Sequence, residues 1–333
     1  MLKKKHIGLY FGEKTMRISK EKVLSMVEKV KKQISTVFVG KEQSIHTLLT
    51  GFFSGLHVLI EDIPGVGKTT LARTLAKSTG MDFGRIQFTP DLLPGDVLGM
   101  TIWSVEKRDF VFKKGAIMHQ FILADEINRA SAQTQSALLE AMQEGAVTVD
   151  GVTHPLPQPF FVIATQNPIS FTGTFQLPEA QIDRFGMSFS MGYPMPEEEV
   201  QILDRFQEKS PLDTLEAVTS PEEIVEIKNQ VRKVYAGKEI KDFLISISNT
   251  TRKNRKIRLG MSPRATQHLL LASQAQSLMS GRDFIIPEDV LQTLTPVLKH
   301  RLILSADAKI ENLSTEDVIK TLINSIALPA GLK

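Results

Sequence analysis

The stretch "IEDIPGVGKTTLA", residues 60–72, carries the side chains best suited to chemistry in this chain. Gly67-Lys68-Thr69 completes the phosphate-loop pattern G-x-x-x-x-G-K-[ST], but Asp62 stands where the first glycine belongs. Such a loop works because successive backbone N–H groups and a helix N-terminus converge on one anion. Gly65 and Gly67 let the backbone approach without a Cβ, Lys68 reaches the β- and γ-phosphates, and the Thr69 hydroxyl ligates Mg²⁺. The first position mainly lets the chain leave a strand tightly, which a short polar side chain can also do. The plain alternative is a lysine-bearing turn before a helix, so the loop needs company. Asp125-Glu126 follows an apolar run and has the types for a metal ligand and a water-polarising base. Asn167 ends another apolar run, where its amide can orient a water. Arg184 follows Asp183, and Arg264 follows Ser262-Pro263; the charge on a separating phosphoryl group needs such a cation, in cis or from a neighbour.

These residues need elements to hold them. Val58-Leu59-Ile60 reads as a buried strand ahead of the loop, with a helix from about Lys68 to Ser78. A second buried strand over 121–124 precedes a helix over Ala132–Glu144, and a third covers 160–164. Continuous apolar strands alternating with helices argue for a parallel sheet covered on both faces. Ligands bind at the C-terminal ends of such strands, where the loop, the acids and Asn167 all fall. Residues 99–115 and 146–157 break the rhythm as hairpins, the second turning at Asp150-Gly151. Residues 20–33 set Val23, Met26, Val27 and Val30 on one helical face. Tyr193-Pro-Met-Pro196 breaks the chain, and the sequence beyond it predicts only helices: 197–209, 221–234, 238–252, 263–279 and 287–299. Pro221, Pro263 and Pro287 sit where a first helical turn accepts proline.

Composition narrows the function classes. With 333 residues, 42% hydrophobic and 23% charged, the chain is an ordinary globular sequence of one large domain or two smaller ones. A net charge of +3 calls for neither nucleic acid nor an anionic membrane. The basic run Lys3-Lys4-Lys5 reads as a solvated terminus. The absence of cysteine excludes disulfides and cysteine zinc sites. No window approaches the ~18 apolar residues of a membrane span. A soluble cytoplasmic protein is expected.

The sequence of strand–loop–helix, strand–Asp–Glu, strand–Asn and two placed arginines resembles the AAA+ ATPase core. Within it, the chain is most similar to MoxR-type ATPases of the helix-2-insert subgroup. The motifs are "EDIPGVGKTTLA", "RIQFTPDLLPGDVLG", "ADEINRASAQTQSALLEAMQEGAVTVDG", "ATQNP", "GTFQLPEAQIDRF" and "SPRA", spanning roughly 20–310. Ser131-Ala132 stands where that family more often has prolines, with no consequence expected. The resemblance implies an α/β fold: a P-loop NTPase parallel sheet with helices on both faces, two hairpin inserts and a C-terminal all-α lid domain. Its implied division is an N-terminal helical extension over 1–35, an ATPase core over 36–192 and a lid over 193–333. It implies ATP and Mg as cofactors, held by the loop residues Asp62, Ile63, Pro64, Gly65, Val66, Gly67, Lys68, Thr69 and Thr70. Asp at position 62 is common in the family, so the loop is a working one. Thr69 and Asp125 would hold the metal, Glu126 would be the base and Asn167 sensor 1. Arg184 would be an arginine finger, Arg264 sensor 2, and Val39-Gly40 would border the adenine pocket. It further implies a homo-oligomer, usually a hexameric ring, and a chaperone role on a client, often with a von Willebrand factor A domain partner.

Other readings belong to different classes. A DNA motor shares both inserts, but only about 35 residues precede the core, too few for a DNA-binding domain. Nucleic acid is therefore not expected as a partner, and a salt-dependent DNA affinity would reverse that. A chelatase-type metal-insertion subunit is nearer, and its partners would separate it. A non-hydrolysing scaffold conflicts with intact Lys68, Asp125 and Glu126.

Overall fold

Val23, Met26, Val27, Val30 and Ile34 recur at helical spacing, and Lys20–Val37 (α1) buries that face beneath a Ser19 cap. In this computed structural model the described residues are 19–167, 175–207, 211–326 and 328–329. The lysine run at 3–5, Pro168 and the start of the 173–185 motif lie outside them. Glu42–Ser54 (α2) is buried without a break from Thr47 to Ser54. A helix enclosed on all sides has no polar stripe, which is why periodicity did not predict it.

Val58–Glu61 (β1) leads into the glycine loop and Lys68–Ser78 (α3). Phe83–Gln87 (β2) and Pro94–Leu98 (α4) follow, then a hairpin of Gly99–Ser104 (β3) and Asp109–Lys114 (β4). Phe121–Asp125 (β5), a 3-10 turn at Ile127–Arg129 and Ala132–Glu144 (α5) come next. A second hairpin joins Ala146–Val149 (β6) to Val152–Pro155 (β7). Its turn residues Asp150 and Gly151 both have positive φ, 50° and 78°, the type I′ geometry that matches strand twist. Phe161–Gln166 (β8), Glu179–Ile182 (α6) and Met187–Phe189 (β9) complete the α/β part.

The central sheet is parallel in the order β2-β5-β8-β1-β9. Alternate residues of β5 and β8 enter two separate cores. Phe121, Leu123, Phe161 and Ile163 pack on one face, and Ile122, Ala124, Val162 and Ala164 on the other. Both faces being covered explains the unbroken apolar runs. β2 and β9 are strands that the sequence reading lacked. Gly84 and Arg85 interrupt β2, and three residues are too few for β9 to show a period.

The C-terminal part runs through Pro196–Gln207 (α7), Pro221–Val231 (α8), Lys238–Lys253 (α9), Pro263–Met279 (α10), Pro287–Leu298 (α11), Ala306–Ile310 (α12) and Thr315–Ser325 (α13). Each expected first-turn proline opens its helix. The expectation of helices alone after 193 needs one correction. Ile257–Leu259 (β10) pairs antiparallel with Ile303–Leu304 (β11), a pair too short to leave a pattern. Helices α1, α2, α8 and α10 contribute to one continuous apolar core with the sheet face that carries Phe121 and Phe161. No helix among the described residues is long and apolar enough to cross a membrane.

Candidate functional site

The glycine loop lies at the C-terminal end of β1, beside the ends of β5 and β8. Gly65 and Gly67 take φ of 85° and 87°, values costly for any residue with a Cβ. A Cβ at Gly67 would also lie 2.8 Å from the Phe38 ring. Pro64, Gly65, Gly67, Lys68 and Thr69 line a cleft of about 390 Å³, together with Arg85, Gln87, Asp125, Glu126 and Asn167. Lys68 Nζ donates to the carbonyls of Asp62 at 2.8 Å and Ile63 at 3.1 Å. Burial pushes its ammonium below the usual lysine range, and Asp62, Asp125 and Glu126 partly restore it. Val66 packs on the core, and the Thr70 carbonyl accepts from Thr74 within α3.

Asp62 is only 4% exposed. One carboxylate oxygen accepts from the Ile63 N–H at 2.9 Å. The other accepts from the N–H groups of Met191 at 2.5 Å and Gly192 at 2.9 Å. The residue in place of the first glycine therefore ties the loop to the chain that leaves β9.

Asp125 ends β5 with both oxygens engaged, one by the Thr165 hydroxyl at 2.6 Å and one by Arg85 at 2.7 Å. Glu126 sits in the left-handed region at φ 55°, its N–H donating to the same Thr165 hydroxyl at 2.9 Å. Its carboxylate pairs with Arg129 at 3.0 Å and accepts from Gln87 at 3.2 Å. Thr165 on β8 thus orients both acids. Arg85, Gln87 and Thr165 lie in motifs quoted in the sequence reading but were given no role there. The alternation in Phe83-Gly-Arg-Ile-Gln-Phe88, which puts Arg85 and Gln87 on one face, was the available signal. Asn167 lines the cleft, and its backbone carbonyl accepts from Asn128 at 3.3 Å.

The arginines lie elsewhere. Arg184 and Arg264 line a second pocket of about 240 Å³ with His57, Met142, Gln143, Arg232 and His268, which shares no lining residue with the loop cleft. Arg264 contacts Gln143 at 3.4 Å. Asp183 accepts from Ser262, the N-cap of α10, at 3.0 Å and from Arg301 at 2.8 Å, so both arginines share one frame. Val39 and Gly40 are not among the residues lining the loop cleft. Gly40 lies beneath the Glu198 carboxylate, where a Cβ would meet Oε1 at 1.8 Å. Lys41 donates to the Tyr193 carbonyl at 2.5 Å, so this segment joins the α/β part to the start of α7.

The donors in the cleft suit a magnesium–nucleotide complex. Asp125 and the Thr69 hydroxyl are hard oxygens, Mg²⁺ takes one or two carboxylates and completes its shell with phosphates and water, and Lys68 and the start of α3 supply donors for those phosphates. Among the described residues no group of three or more His, Cys, Asp or Glu forms an all-protein metal cage.

Comparison with known proteins agrees with this geometry. Residues 57–187 match the ATPase family associated with various cellular activities (AAA), and residues 249–322 match the AAA lid domain. An uncharacterised Bacillus subtilis protein, YeaC, is 45% identical over 305 residues, 91% of this chain and 95% of that one. Chaperone MoxR1 of Mycobacterium tuberculosis is 39% identical over 306 residues, 89% of this chain and 81% of its own length. A crystallised protein from Cytophaga hutchinsonii superposes with a TM-score of 0.86 at 37% identity, covering 93% of this chain and 96% of that one. With its glycine loop, paired acids and lid in this arrangement, the chain belongs to the MoxR-type AAA+ ATPases.

Proposed function

We propose that the chain hydrolyses ATP with Mg²⁺ as one copy of a six-membered ring and uses the cycle to remodel a client protein. The observation that supports this most is the separation of the site into two halves. The loop, Asp125, Glu126 and Asn167 line one cleft, while Arg184 and Arg264 line a pocket sharing no residue with it. A phosphoryl-transfer site needs both sets, and a neighbouring copy is the simplest source of the second. Residues 36–192 act as the ATPase unit, residues 193–333 as its lid, and 1–35 as an extension whose helix α1 packs against α3 and α10. Val39-Gly40 borders the base of the nucleotide.

In this reading Lys68 and the loop N–H groups hold the phosphates, and Thr69 and Asp125 hold the metal, whose charge offsets that of the phosphates. Asn167 orients the attacking water. Glu126 accepts its proton, with Arg129 and Gln87 holding the carboxylate until then. Arg184 and Arg264 meet the charge that develops on the neighbour's nucleotide. The remodelling role follows the relative named Chaperone MoxR1. A partner with a von Willebrand factor A domain and a cytoplasmic location complete the proposal.

Glu126→Gln should retain ATP binding and lose about 10²–10⁴-fold in turnover. Arg184→Ala and Lys68→Ala, each inactive alone, should regain part of the activity when mixed, because some interfaces then pair an intact loop with an intact arginine. Full activity of Glu126→Gln would remove the base assignment. Absence of rescue, together with a monomer in light scattering with ATP bound, would remove the ring.

A further inference from the structure

The pocket that holds Arg184 and Arg264 collects more positive charge than those two residues. Arg232 also lines it, from the C-cap of α8. Lys228 lies one turn earlier on the same helix face, since residues four apart are neighbours on a helix. A Cβ built on Gly55, another lining residue, would stand 3.7 Å from Lys228 Cδ, so the lysine stem runs beneath the pocket wall. The Lys228 ammonium is 5.4 Å from the Phe52 ring centroid and 6.0 Å from that of Phe161. It has no carboxylate partner among the described residues, and burial pushes it down to about 8. Neither Arg184 nor Arg232 is ion-paired among the described residues, and no carboxylate lines the pocket. His57 and His268, lowered to about 4 and about 3 chiefly by burial, are neutral at physiological pH and offset nothing.

A cation at the end of α8 would by itself be ordinary, because helix C-termini favour one. That explains one charge. α2 and α8 both end at this wall, at Ser54 and Val231, and each terminus carries roughly −0.5 of a charge. Three guanidiniums and an ammonium therefore leave an excess of about +3 at one small pocket. Like charges gathered around a cavity without counter-charge are unfavourable unless an anion completes them.

We propose that α8 supplies two further cations to an anion site shared with Arg184 and Arg264: Arg232 contacts the anion directly, and Lys228 strengthens the field from beneath. The anion is the triphosphate end of a nucleotide held in the loop cleft of a neighbouring copy. This rests on the ring reading above and extends it. The lid helix α8 thereby takes part in turnover on the adjacent subunit. An exposed guanidinium at a helix end is replaceable without disturbing the core, so Arg232 is the residue to test.

The experiment measures ATP turnover and ATP affinity for Arg232→Gln and Arg232→Lys, alone and mixed with Lys68→Ala, beside the Arg184→Ala mixture. We expect Arg232→Gln to lose about 10²-fold in turnover, as when one transition-state donor is removed, with unchanged ATP binding by its own loop. Arg232→Lys should fall between the two, and mixing Arg232→Gln with Lys68→Ala should restore activity. Wild-type turnover in Arg232→Gln would overturn the proposal, leaving the ring intact if the Arg184→Ala mixture is rescued. Loss of turnover without rescue, while the Arg184→Ala mixture recovers, would overturn it too, because the defect would lie within the variant's own subunit. If neither mixture recovers, the ring reading fails and this proposal fails with it.

Discussion

Asp62 takes the place of a glycine in the phosphate loop, yet its carboxylate accepts three backbone N–H groups: from Ile63, Met191 and Gly192. Hydrogen bonds to a charged acceptor contribute about 1.5–3 kcal/mol each, and the Met191 end of this clamp is buried. Asp62→Gly restores the common loop pattern, so pattern alone predicts a neutral or helpful change. The geometry predicts the opposite. The variant should lose about 2–4 kcal/mol in urea unfolding, because two N–H groups beyond β9 lose their acceptor. An unchanged unfolding midpoint would show that the clamp contributes nothing. The sequence revealed that a short polar residue was tolerable at this position. It could not reveal the partner, which lies more than a hundred residues further along the chain.

At the scale of elements, Arg301 joins the end of α11 to the segment that carries Arg184. The residue is 6% exposed. It donates to the Asp183 carboxylate at 2.8 Å, to the carbonyls of Gly186 at 2.9 Å and Asp183 at 3.1 Å, and also to those of Phe185 and Val297. Asp183 in turn accepts from Ser262 at the start of α10. Two helices of the C-terminal part and the segment after α6 are therefore held as one unit. Breaking a buried pair by removing one partner costs about 3–5 kcal/mol, since the other charge is stranded. Arg301→Met should show a loss of that size by denaturant unfolding, and Arg301→Met with Asp183→Asn should recover part of it. Additive losses in the double variant would argue against coupling. In the sequence Asp183 was visible only as the residue before an arginine, and Arg301 gave no sign, being one of 40 Lys and Arg residues. Strands followed a similar division. β1, β5 and β8 were legible because both faces are apolar, whereas β2 carries Arg85 and Gln87 towards the cleft and shows only a short alternation in place of a continuous apolar run.

For the molecule as a whole, three histidines link stability to pH. Burial lowers His57 to about 4 and His268 to about 3, with Arg301 and Arg264 adding to the fall at His268. His300 is held well below its usual value by burial and by Arg301. Each is neutral in the fold and protonates near 6.5 when unfolded, so the unfolded chain binds more protons below that pH. Their contribution is complete above about 6.5 and is lost as pH falls towards 4. The melting temperature should drop steadily between pH 7 and pH 5, and His300→Asn should make that drop shallower. A flat profile would mean that these rings protonate in place without penalty.

What the sequence determined by itself is local in origin. Glycines at 65 and 67, a lysine and a threonine after them, proline at helix starts and Asp150-Gly151 between alternating residues each act within a few positions, where backbone sterics and hydrogen bonding decide the outcome. Two continuous apolar strands ending in Asp125-Glu126 and in Asn167 also declared their place at one sheet edge, because a parallel sheet aligns its C-terminal ends. Tertiary structure alone decided which distant groups share a charge or a cavity. It brought Arg85 to Asp125, Asp62 to Met191, and Arg184, Arg232 and Arg264 to one pocket outside the loop cleft. Electrostatic and hydrogen-bond partners are chosen by distance in space, and a lone arginine or aspartate carries no periodic signal that names its partner.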